Sequence, residues 1–191
     1  VEVDAPGTYL VSGQRTNPLK ITTTQVVTLV LDSVTITSET SPIELGPNVN
    51  VTLVVKDGTS NALICTATDV TDANGGKTAG ILVPESATLT IDKEKGSTGT
   101  GRLSVTGGFG GAGVGGSPVV TNATYAKDGA DGGAGGNGED AINTNTGNQT
   151  GGTGGTGGTG GTGGQNGAAG TTAGTIVLNA ATITCQGGDG A

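Results

Sequence analysis

Apolar and non-apolar residues alternate over short runs in the first hundred residues. TYLVS at 8–12, LKITT at 19–23, VTLVL at 27–31, VTIT at 34–37, VTLVV at 51–55, ALICT at 62–66, ATLTI at 87–91 and RLSV at 102–105 all follow this pattern. A period of two sends alternate side chains to opposite faces of a strand. Asp, Asn, Gly and Pro separate many of the runs and supply turns. Helical periodicity is almost absent. Many short strands divided by turn signals predict an all-β fold.

The runs also repeat. Thr28-Leu29-Val30-Leu31-Asp32, Thr52-Leu53-Val54-Val55-Lys56 and Thr88-Leu89-Thr90-Ile91-Asp92 share the form Thr-apolar-x-apolar-polar, at separations of 24 and 36 residues. Thr175-Ile176-Val177-Leu178-Asn179 is a fourth copy. Self-similarity at such periods points to a short parallel β-solenoid, or β-helix, with inward ladders of Val, Ile and Leu and outward Thr. The alternative is a β-sandwich in which Thr-apolar alternation recurs by chance.

Composition divides the chain into three parts. Residues 1–106 form the strand-rich body, 107–170 a Gly-rich insertion, and 171–191 return to the first style with TIVLNAATITC. Glycines in the insertion fall every third residue, in blocks that begin at 107, 129 and 151, a constant 22 residues apart. A period of three matches the left-handed helix of polyproline or polyglycine II type, so the blocks are expected to pack as such helices beside the body. Collagen is excluded because the blocks lack Pro and are short. A flexible linker is the alternative reading. Gly187-Gly188-Asp189-Gly190-Ala191 looks like the start of a further block, either completed by a neighbouring subunit or cut from a longer chain.

Composition then narrows the chemistry. Gly makes up 40 of 191 residues, and only Tyr9, Phe109 and Tyr125 are aromatic. The chain has no His, which removes Ser-His-Asp and Cys-His catalysis and imidazole metal sites. Three aromatics make no stacking platform for bases, and a net charge of −8 repels nucleic acid and anionic membranes. No apolar run is long enough for a transmembrane helix. The chain starts at Val1 with neither Met nor an apolar leader, so a mature, secreted product is expected. In that setting two cysteines suggest a Cys65–Cys185 disulfide; two buried free thiols are the alternative.

The stretches TYLVSG (8–13), VTLVLDSVTITSETSPIEL (27–45) and VTLVVKDGTSNAL (51–63), with LSVTGG and then GGAGVGG at 110–116, resemble bacterial cell-surface proteins described as carbohydrate-binding domain-containing. Those are β-helix proteins with strand–glycine repeats. The resemblance spans roughly 8–116 and 175–191, and the GGT run at 151–164 departs from it. It implies a surface module. It ties carbohydrate to no particular residue.

Several residues are candidate sites. Residues 135–143 fit the calcium β-roll pattern G-G-x-G-x-D-x-U-x, and Asp128, Asp131, Glu139 and Asp140 offer four carboxylates for calcium. Such sites form between successive repeats and only one match occurs, so a solvated loop is the plain alternative. Asn50, Asn122 and Asn148 open N-glycosylation sequons. Outward Thr of 35–37, 88–90 and 182–184 could build a flat hydroxyl array of the ice-binding kind, or simply reflect β-propensity. The acidic residues fall mostly at turns, so no catalytic pair and no enzyme are expected. No cofactor besides calcium is indicated. The expected function is a non-enzymatic extracellular structural protein: a self-assembling subunit of a cell-surface fibre, or a module of an adhesin stalk. Its partners would be copies of itself or neighbouring repeats. The rival is a module that binds an extracellular polysaccharide.

Overall fold

The computed structural model describes residues 1–70, 74–118, 171–179 and 182–189. All of them belong to one compact unit, Val1–Val120 with Ala168–Ala191. They contain strands and no helix, and none of their segments is a helix that could cross a membrane.

Alternation becomes strand wherever the sequence shows it. The longer strands are β2 (Gly7–Arg15), β4 (Val27–Ser38), β6 (Asn50–Val55), β7 (Ser60–Cys65), β9 (Thr88–Lys93), β10 (Arg102–Thr106), β12 (Thr175–Leu178) and β13 (Thr182–Gln186). Between them run the short strands β1 (Glu2–Val3), β3 (Leu19–Ile21), β5 (Ile43–Leu45), β8 (Ile81–Leu82) and β11 (Val114–Gly115). The short strands form one sheet in the order β1-β3-β5-β8-β11. The longer ones form a second, β12-β9-β6-β4-β7-β10-β13, with β2 also on β4. Every pairing between these strands is parallel.

The register explains the Thr-apolar repeats. Leu29 pairs Leu53, and Leu53 pairs Ile91. Thr28 pairs Thr52, but Thr52 pairs Thr90 rather than Thr88. The repeat is thus offset by two residues in its third copy. A two-residue shift keeps every side chain on its expected face. Inward ladders then follow: Val27–Val51–Leu89 and Leu29–Leu53–Ile91 in the large sheet, Val3–Ile21–Leu45 in the small one. These side chains join a single buried apolar cluster. Strand β4 bends where Ser33 takes a φ of 56°, which inserts one residue against β2 between Ser12 and Gly13. Its first half pairs β6 and its second half pairs β7.

The body does not stop at residue 106. Glycines 107, 108, 111, 113 and 115 are buried. Gly107 N–H donates to the Gln186 carbonyl (2.8 Å), and Gly108 N–H to that of Thr78 (2.7 Å). Gly110 and Gly115 have φ of 63° and 139°, and Val114–Gly115 is strand β11. A three-residue helix needs φ near −75° at each residue. The first Gly block is therefore not such a helix. It is a set of tight turns, ending in β11, held against Thr78 and Gln186. The blocks at 129 and 151 lie outside the described residues.

The expected disulfide is also absent. Cys65 is a buried free thiol and Cys185 an exposed one. Strand β10 runs between their strands: Val105 pairs Leu63 on one side and Cys185 on the other. Two strand spacings, about 9.6 Å, exceed the roughly 7 Å limit for Cα atoms of a disulfide. Partial desolvation pushes the Cys185 thiol up from its ordinary value, which further lowers its reactivity.

Polar turns close the other corners. Asp57 takes hydrogen bonds at Oδ1 from the hydroxyl (2.8 Å) and N–H (2.6 Å) of Thr100, and at Oδ2 from the Thr98 hydroxyl (3.1 Å). These bonds, led by that of the Thr100 hydroxyl, hold its carboxyl below the usual carboxylate range. A depressed folded pKa adds stability above the unfolded value, about 3.9, and that stability is lost as pH falls through the folded value. Asp57→Asn is therefore expected to melt below wild type at neutral pH, with the gap narrowing in acid. Melting curves from pH 7 to strong acid test this, and a gap that ignores pH refutes it.

Candidate functional site

The outward face of β4, β7, β10 and β13 is built by register. Inward positions there are mostly apolar, among them Ile36, Leu63, Leu103 and Val105, with Asn61 a polar exception. Alternate positions therefore point out. Gln14, Thr35, Ala62, Ser104 and Thr184 form one row across five strands. Ser60, Arg102 and Thr182 form a second. Thr37, Ile64, Thr106 and Gln186 form a third. Neighbours in a row stand about 4.8 Å apart, and adjacent rows about 6.6 Å.

Two shallow grooves cross this face. One, of ≈ 380 Å³, is lined by Thr35, Ser60, Asn61, Ala62, Arg102, Leu103, Ser104, Thr182 and Thr184. The other, of ≈ 370 Å³, is lined by Val1, Gln14, Arg15, Thr16, Asn17, Thr35 and Thr37. Thr35 belongs to both. Among the described residues, the hydroxyls, amide and guanidinium groups of Gln14, Thr35, Ser60, Arg102, Ser104, Thr182 and Thr184 spend none of their hydrogen-bonding capacity on the protein. Each hydroxyl donates one bond and accepts two, and the guanidinium donates five. Strands hold these groups at fixed spacing, which favours precise recognition.

A family model described as carbohydrate-binding domain-containing protein matches residues 1–191. The chain belongs to this family. No curated protein and no solved structure matches it.

The polar face offers its side chains as hydrogen-bonding groups. Among the described residues it carries no aromatic shelf. Tyr9 donates its hydroxyl to the Ala5 carbonyl (2.9 Å) and packs on the core, and Phe109 lies in the turns after β10. The hydroxyl array expected from Thr35, Thr37, Thr88, Thr90, Thr182 and Thr184 is split. Thr88 and Thr90 lie on β9, in rows with Asn50 and Thr52, while the other four lie on the grooved face. Ala62 and Ile64 further interrupt those rows.

The other expected sites fare as follows. Asn50 is exposed at the start of β6, open to a glycan. Asn122, Asn148, Asp128, Asp131, Glu139 and Asp140 lie outside the described residues. Among those that are described, no cluster could hold a metal ion. One depression does bring two carboxylates together, Glu39 and Asp69. Both are exposed. Arg15, Arg102, Gln14 and Ser104 were not singled out by sequence. Of the four, only Arg15 and Arg102 carry a signal, as the chain's two arginines. Placing Gln14, Arg102 and Ser104 in outward rows needs the register, and Arg15 is placed by the groove it lines.

Proposed function

We propose that this chain is a non-enzymatic carbohydrate-binding module of a secreted, cell-surface protein, wound as a short parallel β-solenoid, that takes a polysaccharide on its grooved outer face. The observation that carries this reading is the row Gln14–Thr35–Ala62–Ser104–Thr184, whose polar groups make no bonds within the described residues. Membership of the family supports it. The solenoid winding is supported by parallel pairing of each strand with its counterpart in the next circuit. Polar groups that exchange water for sugar hydroxyls gain little per contact. Affinity for a single sugar is then weak, and a chain that engages several rows gains by effective concentration.

The fibre-subunit reading loses part of its ground. Beside open solenoid ends and the N-terminal VEVDAPG strand, it draws on three-residue glycine helices with free backbone edges, and the block at 107–116 is instead folded into the body.

The experiment is a titration of soluble polysaccharides against wild type and the triple variant Thr35→Ala, Ser104→Ala, Thr184→Ala. A second variant, Thr52→Ala with Thr90→Ala, alters the neighbouring face. We expect about a tenfold loss in the first, from three hydrogen bonds of modest net worth, and no change in the second. No new reducing ends should appear. Equal binding by all three proteins, or steady release of reducing ends, refutes the reading.

A further inference from the structure

The grooved face departs from the charge of the rest of the chain. The sequence carries 16 acidic residues against 8 basic ones. Yet among the described residues neither groove is lined by an Asp or a Glu, and both contain an arginine. Arg15 and Arg102 are the chain's two arginines, and both are exposed. Among the described residues the ion pairs are Lys56–Asp32 and Lys77–Glu44, so both guanidinium groups are left without an anion.

Resting on the carbohydrate reading, we propose that the ligand is a linear polysaccharide whose sugars bear planar or tetrahedral oxyanions, lying across the strands from Arg102 past Thr35 to Arg15. The guanidinium fork is matched to such groups and binds them through two parallel N–H···O bonds. Arg15 ends β2 and pairs the inward Ile36, so it joins this path through the groove it lines with Thr35 and Thr37 and not through an outward row. The two backbone positions are three strand steps and three residues apart, roughly 17 Å from spacing and rise. That is the length of a short oligosaccharide. One strand step is also close to the advance of one sugar in an extended pyranose chain, so successive sugars meet successive members of the hydroxyl row. A folded-back or heavily branched polymer would lose this match.

The test compares polygalacturonate, dextran sulfate and neutral hydroxyethyl cellulose on wild type and on Arg15→Gln with Arg102→Gln. Both residues are exposed, and unchanged melting will show that the variant folds. Wild type is expected to prefer an acidic polymer, with binding weakened by salt. A charge-assisted bond is worth about 1.5–3 kcal/mol, so the double variant is expected to lose tenfold or more on that polymer. Its binding of the neutral polymer should stay within about twofold of wild type. Preference for polygalacturonate assigns a carboxylate, and preference for dextran sulfate a sulfate. Equal binding of neutral and acidic polymers, unchanged in the variant, overturns the acidic ligand and leaves the carbohydrate reading standing. Failure of wild type to bind any polymer overturns both.

Discussion

Replacing Gly111 by Ala is expected to cost about 4 kcal/mol, the range reserved for core overpacking and backbone displacement. Gly111 is buried, and a Cβ there would overlap the carbonyl of Thr78. That carbonyl cannot step aside. It accepts the Gly108 N–H at 2.7 Å, while the Thr78 N–H is held by the Ser117 hydroxyl at 3.1 Å. The Gly111 carbonyl in turn accepts from Gly188 N–H (2.9 Å). Displacing Gly111 therefore loosens contacts on both sides of its own turn. Elsewhere a Gly→Ala change can stabilise, by about 0.4–1 kcal/mol, through the unfolded chain. Here the clash outweighs that gain several times over. Gly58→Ala is the control. Its φ is 69° and nothing lies near the added carbon, so only backbone strain of about 1–2 kcal/mol is expected. Thermal melting of both variants decides the matter. Gly111→Ala melting with wild type would show that the turns are not packed as described.

Strands were legible because burial imposes a period of two on the side chains. Each of the eight runs named from sequence lies on a strand, and the runs at 27–31 and 34–37 merge into β4 because Ser33 turns the chain without ending it. The strands β5, β8 and β11 were not named, since two or three residues hardly display a period, and β3 was marked only because its run extends past the strand to Thr23. Register was legible to the correct face but not to the residue. Thr88 and Thr90 both fit the repeat, and only the structure selects Thr90 as the partner of Thr52.

The glycines misled for a physical reason. A spacing of three is shared by an extended three-residue helix and by turns whose glycines happen to face a neighbouring carbonyl. At 107–116 the second case holds, as the positive φ of Gly110 and Gly115 requires. The cysteines misled because an even count carries no distance, and one intervening strand forbids the bridge. The candidate site was hidden for a third reason. Arg15 and Arg102 are far apart in sequence, and nothing local marks either one. Arg102 joins an outward row only when β7 and β10 are laid side by side, and Arg15, which pairs the inward Ile36, is linked to it only by grooves that share Thr35.

Asn61→Leu is expected to cost about 3 kcal/mol, although leucine suits an inward position. Asn61 is 4 % exposed and sits in a ladder with Leu103. The bend of β4 at Ser33 leaves the Val34 N–H in the interior, and the Asn61 Oδ1 accepts it at 3.0 Å. Its Nδ2 donates to the Thr59 hydroxyl (2.9 Å) and to the Arg102 carbonyl (3.2 Å). Leucine strands a buried donor and a buried acceptor, each worth about 1–3 kcal/mol. Asn61→Asp separates the parts of this cost. The new carboxyl keeps the bond from Val34 but, when ionised, gives up both donated bonds and buries a charge. Burial raises its pKa, so its folded state favours the protonated form. Its deficit against wild type should therefore be large at neutral pH and shrink as pH falls, whereas that of the Leu variant should not respond in this way. Because Asn61 also holds the backbone of Arg102, both variants should weaken binding of an acidic polymer. Melting at neutral and acid pH, followed by titration of whichever variant remains folded, tests the whole chain of inference. A Leu variant as stable as wild type would mean that Val34 finds another partner and that the bend of β4 does not depend on Asn61.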